Sequence, residues 1–285
     1  MKPFARYVAK RILLVIPILL GVSLGTFLML YLMPGDPAVI ILGPSATPET
    51  IEIMRKYLGL DQPLYVQYFS YMSSLLSGNF GRSIVTGGSA LSLLTDRFLN
   101  TAELAIVSII FSASVGIIAG TLAAMRQGSK FDNLIMGATV LSNSTPVFVL
   151  GTILMYVFSI QLGILPAMGN RGWYSVILPA LALSGWLIAN IARVTRTQMI
   201  EILGHDYVRT MRAMGLDEKT VILKYALRNA SVPVITLVGM YFGYTLGGAV
   251  LTETVFSWPG IGRLIVDSIF YRDFVVIRGG ILLVA

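Results

Sequence analysis

Residues 205–233 read HDYVRTMRAMGLDEKTVILKYALRNASVP, and this basic stretch separates apolar runs at 175–195 and 233–252. It is longer than the two to eight residues that usually connect neighbouring helices. Its apolar residues recur at helical spacing, Gly215 can end one helix, and Asp217 can cap another. The stretch therefore predicts two helices joined by a tight glycine turn.

The rest of the chain has the composition of a membrane protein. Of its 285 residues, 55% are hydrophobic and only 12% are charged, and the mean hydropathy is +0.78. A bilayer core of about 30 Å needs about 20 apolar residues in helical form. A sixth apolar run begins near Phe274, stops at Ala285, and is too short to cross, so we expect a truncated sixth span. Five complete spans are predicted, at 12–33, 102–125, 134–160, 175–195 and 233–252.

The net charge of +7 is best explained by membrane orientation. Basic residues precede a first apolar run that lacks a signal-peptide cleavage site, which predicts an uncleaved first helix with a cytoplasmic N-terminus. With that orientation, most of the 21 Lys and Arg residues lie inside and most of the 14 Asp and Glu residues lie outside. The segment 205–233 is then cytoplasmic and would lie along the membrane surface. No nucleic-acid partner is expected, and an alternative is a basic helix bound to anionic membrane lipid.

The polar stretch 34–100 is too long for a turn, and it contains residues that typically begin and end helices. Thr47 is a plausible cap, Gly59 ends that helix, and a second helix begins after Pro63 and ends near Gly78. A packed external cap and a role in receiving cargo both remain open. Three regions are predicted: 1–33, the N-terminal cytoplasmic end and first helix; 34–100, an extracytoplasmic helical insertion; and 101–285, a core of spans two to six with the loop 205–233.

Polar groups within apolar spans are costly in lipid, so they usually face the bundle interior or a wet cavity. Asn143 to Pro146 interrupt the third run and predict a kink beside a solute path. Glu253 falls at the external end of the fifth run, where a solvated interface and cargo contact are both possible. Glycines recur at four-residue spacing on the second and fifth spans and form a stripe on each. Such stripes favour close helix packing, and lining of a solute path is the second interpretation. The candidate path residues are Ser142, Asn143, Ser144, Asn190, Gly243, Gly247 and Glu253.

The residue inventory excludes several kinds of chemistry. There is no cysteine and only one histidine, His205, so disulfides, thiolate nucleophiles and Cys/His metal cages are excluded. Gly21, Ser23 and Gly25 match a hydrolase elbow but lie within an apolar span without a strand. No Walker A loop occurs, so energy must come from elsewhere. We expect no catalytic, cofactor or metal site in this chain.

The loop resembles the cytoplasmic loop of ABC importer permeases, in which a glycine and a downstream proline, here Gly215 and Pro233, mark the helix that fits the ATPase. DYVRTMRAMGL with ALRNASVPVI is similar to the dipeptide, oligopeptide and nickel branch. Further similar segments run along nearly the whole chain: MPGDPA at 33–38, LGLDQPLYVQY at 58–68, GNFGRS at 78–83, ILPA at 164–167 and 177–180, and ETVFSWPGIGRL at 253–264.

Two residue departures accompany the resemblance. The usual Glu-Ala-Ala appears as Arg209, Thr210 and Met211, which weakens any role for a permease glutamate at the ATPase. Arg278 stands where a neutral polar residue is usual.

The resemblance implies an all-α membrane protein with the six-helix ABC importer permease fold, in a bacterial or archaeal cytoplasmic membrane. It implies a second homologous permease subunit, two ABC ATPase subunits that bind ATP and magnesium, and an extracytoplasmic solute-binding protein. Di- or oligopeptides are the expected cargo, with nickel or metal chelates and glutathione as alternatives. From other classes, an ion-gradient-driven transporter and a non-transporting anchor protein remain rivals. The expected ATPase-coupling residues are Arg209, Arg212, Ala213, Gly215, Leu216, Asp217 and Glu218.

Overall fold

The computed structural model describes residues 2–32, 35–43, 45–247 and 249–285. Met33 and Pro34, at the end of the predicted first span, lie outside the described residues. Within the described ranges every regular element is helical. The α-helices are α1 Lys2–Tyr31, α2 Pro37–Leu42, α3 Pro48–Tyr57, α4 Leu64–Leu76, α5 Ala90–Met125, α6 Lys130–Ser144, α7 Val147–Met155, α8 Ile177–Leu203, α9 Asp206–Ala213, α10 Glu218–Thr220, α11 Leu227–Leu246, α12 Val250–Val255, α13 Ile261–Phe270 and α14 Phe274–Val284.

Four helical runs are long and apolar enough to cross a membrane, and a bent pair raises the number to five among the described residues. The four are Arg6–Tyr31, Ala90–Met125, Trp173–Leu203 and Glu218–Leu246. The bent pair consists of α6 and the helical run Val147–Gln161, which meet at 99°. The predicted kink in the third span is therefore confirmed. α14 is a shorter apolar helix.

The predicted boundary of the fifth span is wrong. The second helix of the 205–233 segment was expected to end before a span that begins at Pro233. Instead a helical run continues from Glu218 to Leu246, through a π-helical turn at Val221–Ala226, with Pro233 inside α11. Proline is tolerated within membrane helices because neighbouring groups can satisfy the freed carbonyl. The segment therefore has one separate helix, α9, and a second helix that is the start of a span.

The chain divides into two compact units, the first comprising the residues up to Phe98 with Leu264–Ala285. In this unit α1 packs against α14. The predicted punctuation of 34–100 is confirmed, because Thr47 caps α3, Gly59 has φ +68°, and α4 begins directly after Pro63.

The second unit comprises Leu99–Arg263, and α8 is its central helix, packed against α6, α7 and α11. Gly116 and Gly120 of α5 lie under α8, where a Cβ at Gly116 would stand 2.8 Å from Ile191. Gly239 and Gly243 of α11, in contrast, have no described atom within 4 Å of the position that a Cβ would take. Helix packing is thus confirmed for the stripe on α5, whereas no described residue packs against Gly239 and Gly243.

Candidate functional site

The turn after α9 has the geometry of a helix C-terminus closed by glycine. Gly215 has φ +82°, and its N–H donates to the carbonyl of Arg212 at 3.0 Å. The N–H of Leu216 donates to the carbonyl of Met211 at 3.2 Å, so the last carbonyls of α9 are satisfied. Residues with a Cβ rarely adopt this conformation. The predicted sequence of helix, Gly215 and helix is therefore confirmed.

Two carboxylates hold the far side of the turn. Asp217 caps α10 by accepting from the N–H of Thr220 at 2.9 Å, and hydrogen bonds from Thr220 hold the pKa of Asp217 below its usual value. Glu218 accepts from Nε of Arg212 at 3.0 Å and from Nη2 at 2.6 Å. A bidentate pair between arginine and a carboxylate fixes the relative orientation of the two groups in addition to attracting them. It ties the end of α9 to the start of the helix that becomes the span.

The loop is anchored to the membrane helices by apolar contacts. Val208 of α9 and Val221 of the π-helical turn are fully buried, and these two elements pack together. Ile222 belongs to a buried cluster with Ala124 of α5 and Met199 of α8. The base of the loop thus packs against the ends of three long helices, α5, α8 and α11.

The tip of the loop is exposed on the surface of the subunit. Arg209 is 74% exposed and forms a loose ion pair with Asp206 at 3.6 Å. Met214, which follows the exposed Ala213, is 73% exposed. Leu216 is partly buried. The tip of the loop is thus exposed, cationic and partly apolar, whereas its base is buried.

The bend between α6 and α7 brings together two of the candidate path residues. Nδ2 of Asn190 donates to Oδ1 of Asn143 at 3.2 Å and to the carbonyl of Trp186 at 2.8 Å. Ser142 lies beside α8 as well, because a Cβ at Gly185 would stand 3.1 Å from its hydroxyl. The hydrogen bond between Asn190 and Asn143 thus joins α8 to α6, close to the bend between α6 and α7.

Next to the asparagine pair lies an aromatic surface. The ring of Trp186 is 4.7 Å from that of Tyr241 and 5.8 Å from that of Tyr244, measured between centroids. Trp186 and Tyr244 also border a cavity of about 410 Å³. Of the other candidate residues, Ser144 and Gly243 are exposed, and Gly247 ends α11.

A solvated interface and cargo contact were the two alternatives for Glu253, and its burial fits neither. Its side chain is fully buried and accepts from Oγ1 of Thr101 at 2.6 Å and from the N–H of Arg263 at 2.9 Å. A Cβ on Gly260 would collide with this carboxylate, and a Cβ on Gly262 would stand 2.8 Å from Val250 and 3.0 Å from the carboxylate. The segment 253–263 thus wraps around Glu253, which holds the loop in shape and has no exposed surface with which to line a path.

Comparison with known proteins identifies the family. The family model "Binding-protein-dependent transport system inner membrane component" matches residues 116–285, and the model of the corresponding N-terminal region matches residues 4–105. The chain belongs to this family. It is an ABC importer permease subunit of the peptide, glutathione and nickel type, and a multi-pass protein of the cytoplasmic membrane.

Individual relatives of this permease agree with that assignment. The glutathione transport system permease protein GsiC of Escherichia coli (strain K12) is 45% identical over 277 residues, which are 97% of this chain and 90% of that protein. GsiC of Shigella flexneri serotype 5b has the same identity and coverage. The inward-facing MetNI methionine ABC transporter matches 68% of this chain and 89% of its own, with a TM-score of 0.57 and 19% identity, and so shares the fold.

One ion pair of the permease was missed by sequence reasoning. Asp132 is 1% exposed and accepts from Nε and Nη2 of Arg196, both at 2.6 Å, and from the N–H of Gly128 at 2.9 Å. It ties the start of α6 to the last third of α8. The available clue was that opposite charges occur at the predicted cytoplasmic ends of the third and fourth spans. The sequence does not indicate that Asp132 and Arg196 form a pair.

Proposed function

We propose that this permease subunit forms, with a second homologous permease subunit, a path for short peptides across the cytoplasmic membrane. Two separate ATPase subunits would supply the energy, and an extracytoplasmic solute-binding protein would deliver the cargo. The supporting observation is the similarity, over 97% of the chain, to a permease named for glutathione, which is itself a tripeptide. Glutathione and metal chelates are the alternatives within the same family.

We propose further that the segment 205–233 receives the mechanical input from an ATPase. What supports this is the combination of an exposed tip, an anchored base and a continuous helical run from Glu218 to Leu246. Such a run transmits a push as a rigid body. ATP-dependent closure of the ATPases can switch the path only if they bind one conformation of the loop better than the other.

Cargo is tested by uptake into proteoliposomes that contain the complete assembly and its binding protein. We expect ATP-dependent uptake of labelled dipeptide or glutathione, unaffected by ionophores that collapse proton and sodium gradients. Uptake of a nickel chelate but of neither peptide would replace the peptide assignment. Uptake that survives without ATP and follows an ion gradient would indicate a secondary transporter, and assembly without any solute movement would indicate an anchor protein.

The coupling role is tested with Gly215→Pro and, separately, with Arg209→Glu combined with Arg212→Glu. Proline fixes φ near −65°, so it cannot adopt the +82° of this turn. We expect peptide uptake to fall at least about tenfold, equivalent to about 1.4 kcal/mol, while ATP hydrolysis continues. Lys130→Glu is the control, because it reverses the charge of an exposed residue outside the segment 205–233. Normal uptake and normal ATPase co-purification in both variants would refute the coupling role.

A further inference from the structure

Arg278 of α14 is enclosed by aromatic side chains of the first unit. Its Cζ lies 5.2 Å from the ring centroid of Phe27 and 5.3 Å from that of Tyr71. These two rings are 6.3 Å apart and nearly parallel, at 22°. Phe27 is only 3% exposed. The guanidinium is therefore held in place by ring faces in a mostly apolar environment.

Two polar atoms at this position are buried without a hydrogen-bond partner among the described residues. They are Nε of Arg278 and the hydroxyl of Tyr71. Two nearby carboxylates have other partners, since Asp36 pairs with Arg55 at 2.5 Å and Asp273 accepts from the hydroxyl of Ser83. An arginine left uncompensated in this way is costly and gives a fixed, preoriented donor for an anion.

The two residues that carry these buried atoms line open space large enough for a small molecule. Arg278 and Tyr71 line a cavity of about 320 Å³, within the size range of small-molecule sites. Arg278 also lines a second cavity of about 570 Å³, but Asp36, Glu52 and Asp61 line it as well, so only the smaller cavity suits an anion. The smaller cavity adds hydroxyl and amide groups that suit a peptide backbone, from Gln62, Gln67, Ser70, Ser74 and Asn79.

We propose that Arg278 and Tyr71 form a binding site for the carboxylate of a small transported solute. A guanidinium presents paired N–H groups that match the two oxygens of a carboxylate, and the tyrosine hydroxyl supplies a further donor. The identity of the solute as a short peptide rests on the proposed function. A fixed cation at this position gives the chain a preference for cargo with a free carboxylate.

Binding is measured by calorimetry on the purified assembly of permeases and ATPases, without binding protein, using Ala-Ala and glutathione. Ala-Ala amide, which lacks the carboxylate, is the ligand control. We expect Arg278→Gln to weaken binding about 10- to 100-fold and Tyr71→Phe about 3- to 10-fold, as for lost hydrogen bonds to charged and neutral groups. Arg82→Gln is the matched control, because Arg82 is exposed in the same unit and outside both cavities. The affinity for Ala-Ala amide should be the same in Arg278→Gln and in the unchanged protein.

Equal affinity in the unchanged protein and in Arg278→Gln, or no binding of either ligand, would overturn the proposal. If Arg278→Gln fails to assemble, Arg278→Lys replaces it, and intermediate weakening is expected because an ammonium lacks the planar fork. Phosphatidylglycerol that co-purifies with the unchanged protein but not with the variant, in the absence of peptide binding, would assign the site to a lipid phosphate and overturn the solute assignment.

The uptake experiment keeps this proposal separable from the proposed function. Peptide uptake by the complete assembly, together with an affinity that is insensitive to Arg278, would refute the site and leave the function standing. Arg278-dependent peptide binding without ATP-dependent peptide uptake would refute the function and leave the site standing.

Discussion

Two regions each contain an arginine fork, that is, an arginine bound to a carboxylate by two hydrogen bonds. One lies in the packed region between α5, α6 and α8, and the other lies in the outer region formed by α9 and α10. In the packed region the carboxylate of Asp132 is 1% exposed and Arg196 is 25% exposed. In the outer region Arg212 and Glu218 are 41% and 55% exposed. Since water screens the second pair and not the first, the same chemistry serves as a structural tie in one region and as a weak, reversible contact in the other.

The glycine stripes of α5 and α11 differ in the same way. Gly116 and Gly120 allow α5 and α8 to approach closely, whereas Gly239 and Gly243 of α11 face no described residue. Small residues permit close packing between membrane helices, but they do not choose the partner. Burial therefore decides the role of the arginine forks and of the glycine stripes. Three substitutions test this conclusion.

The largest effect is expected for Asp132→Asn. It leaves the guanidinium of Arg196 without its counter-charge, and breaking a buried pair costs about 3–5 kcal/mol. We expect the lower part of that range, because Arg196 keeps some solvent contact. Thermal unfolding of the detergent-solubilised protein would measure the loss. A loss no greater than that of Glu218→Gln would remove the contrast between the two forks.

An intermediate effect is expected for Gly120→Val. A Cβ at Gly120 would lie 2.7 Å from Cβ of Thr195, so the added side chain forces α5 away from α8, and overpacking of this kind costs about 1–3 kcal/mol. Gly239→Val is the matched control in open space, with an expected change within about 0.5 kcal/mol. The same unfolding assay compares them. Equal destabilisation by both would show that the stripe on α11 is also packed.

The smallest effect on stability is expected for Glu218→Gln. Exposed pairs contribute about 0.2–1 kcal/mol, and salt screens them. Unfolding at low and high ionic strength should therefore show a small loss that disappears in high salt, whereas the loss caused by Asp132→Asn should persist. A salt-independent loss would mean that the fork beside Gly215 is shielded from solvent.

The features that were predicted from the sequence depend on neighbouring residues. Apolar runs predicted the spans, Thr47 and Asp217 predicted helix caps, and Gly215 predicted the turn, because capping and chain reversal are decided within about four residues. The predicted start of the fifth span at residue 233 was wrong, because the helical run already begins at Glu218 and continues through Pro233, whose freed carbonyl can be satisfied by neighbouring groups.

Composition and short motifs need no coordinates, so they were enough to establish the membrane class and the resemblance to importer permeases, and the charge asymmetry predicted the orientation of the chain. The fold was needed to show that Asp132 pairs with Arg196, that Glu253 is closed within its own loop, and that Arg278 is enclosed by rings without a paired carboxylate among the described residues. The physical reason is that burial and pairing join residues far apart along the chain, and the free energy of a charge depends on the groups that the fold places around it.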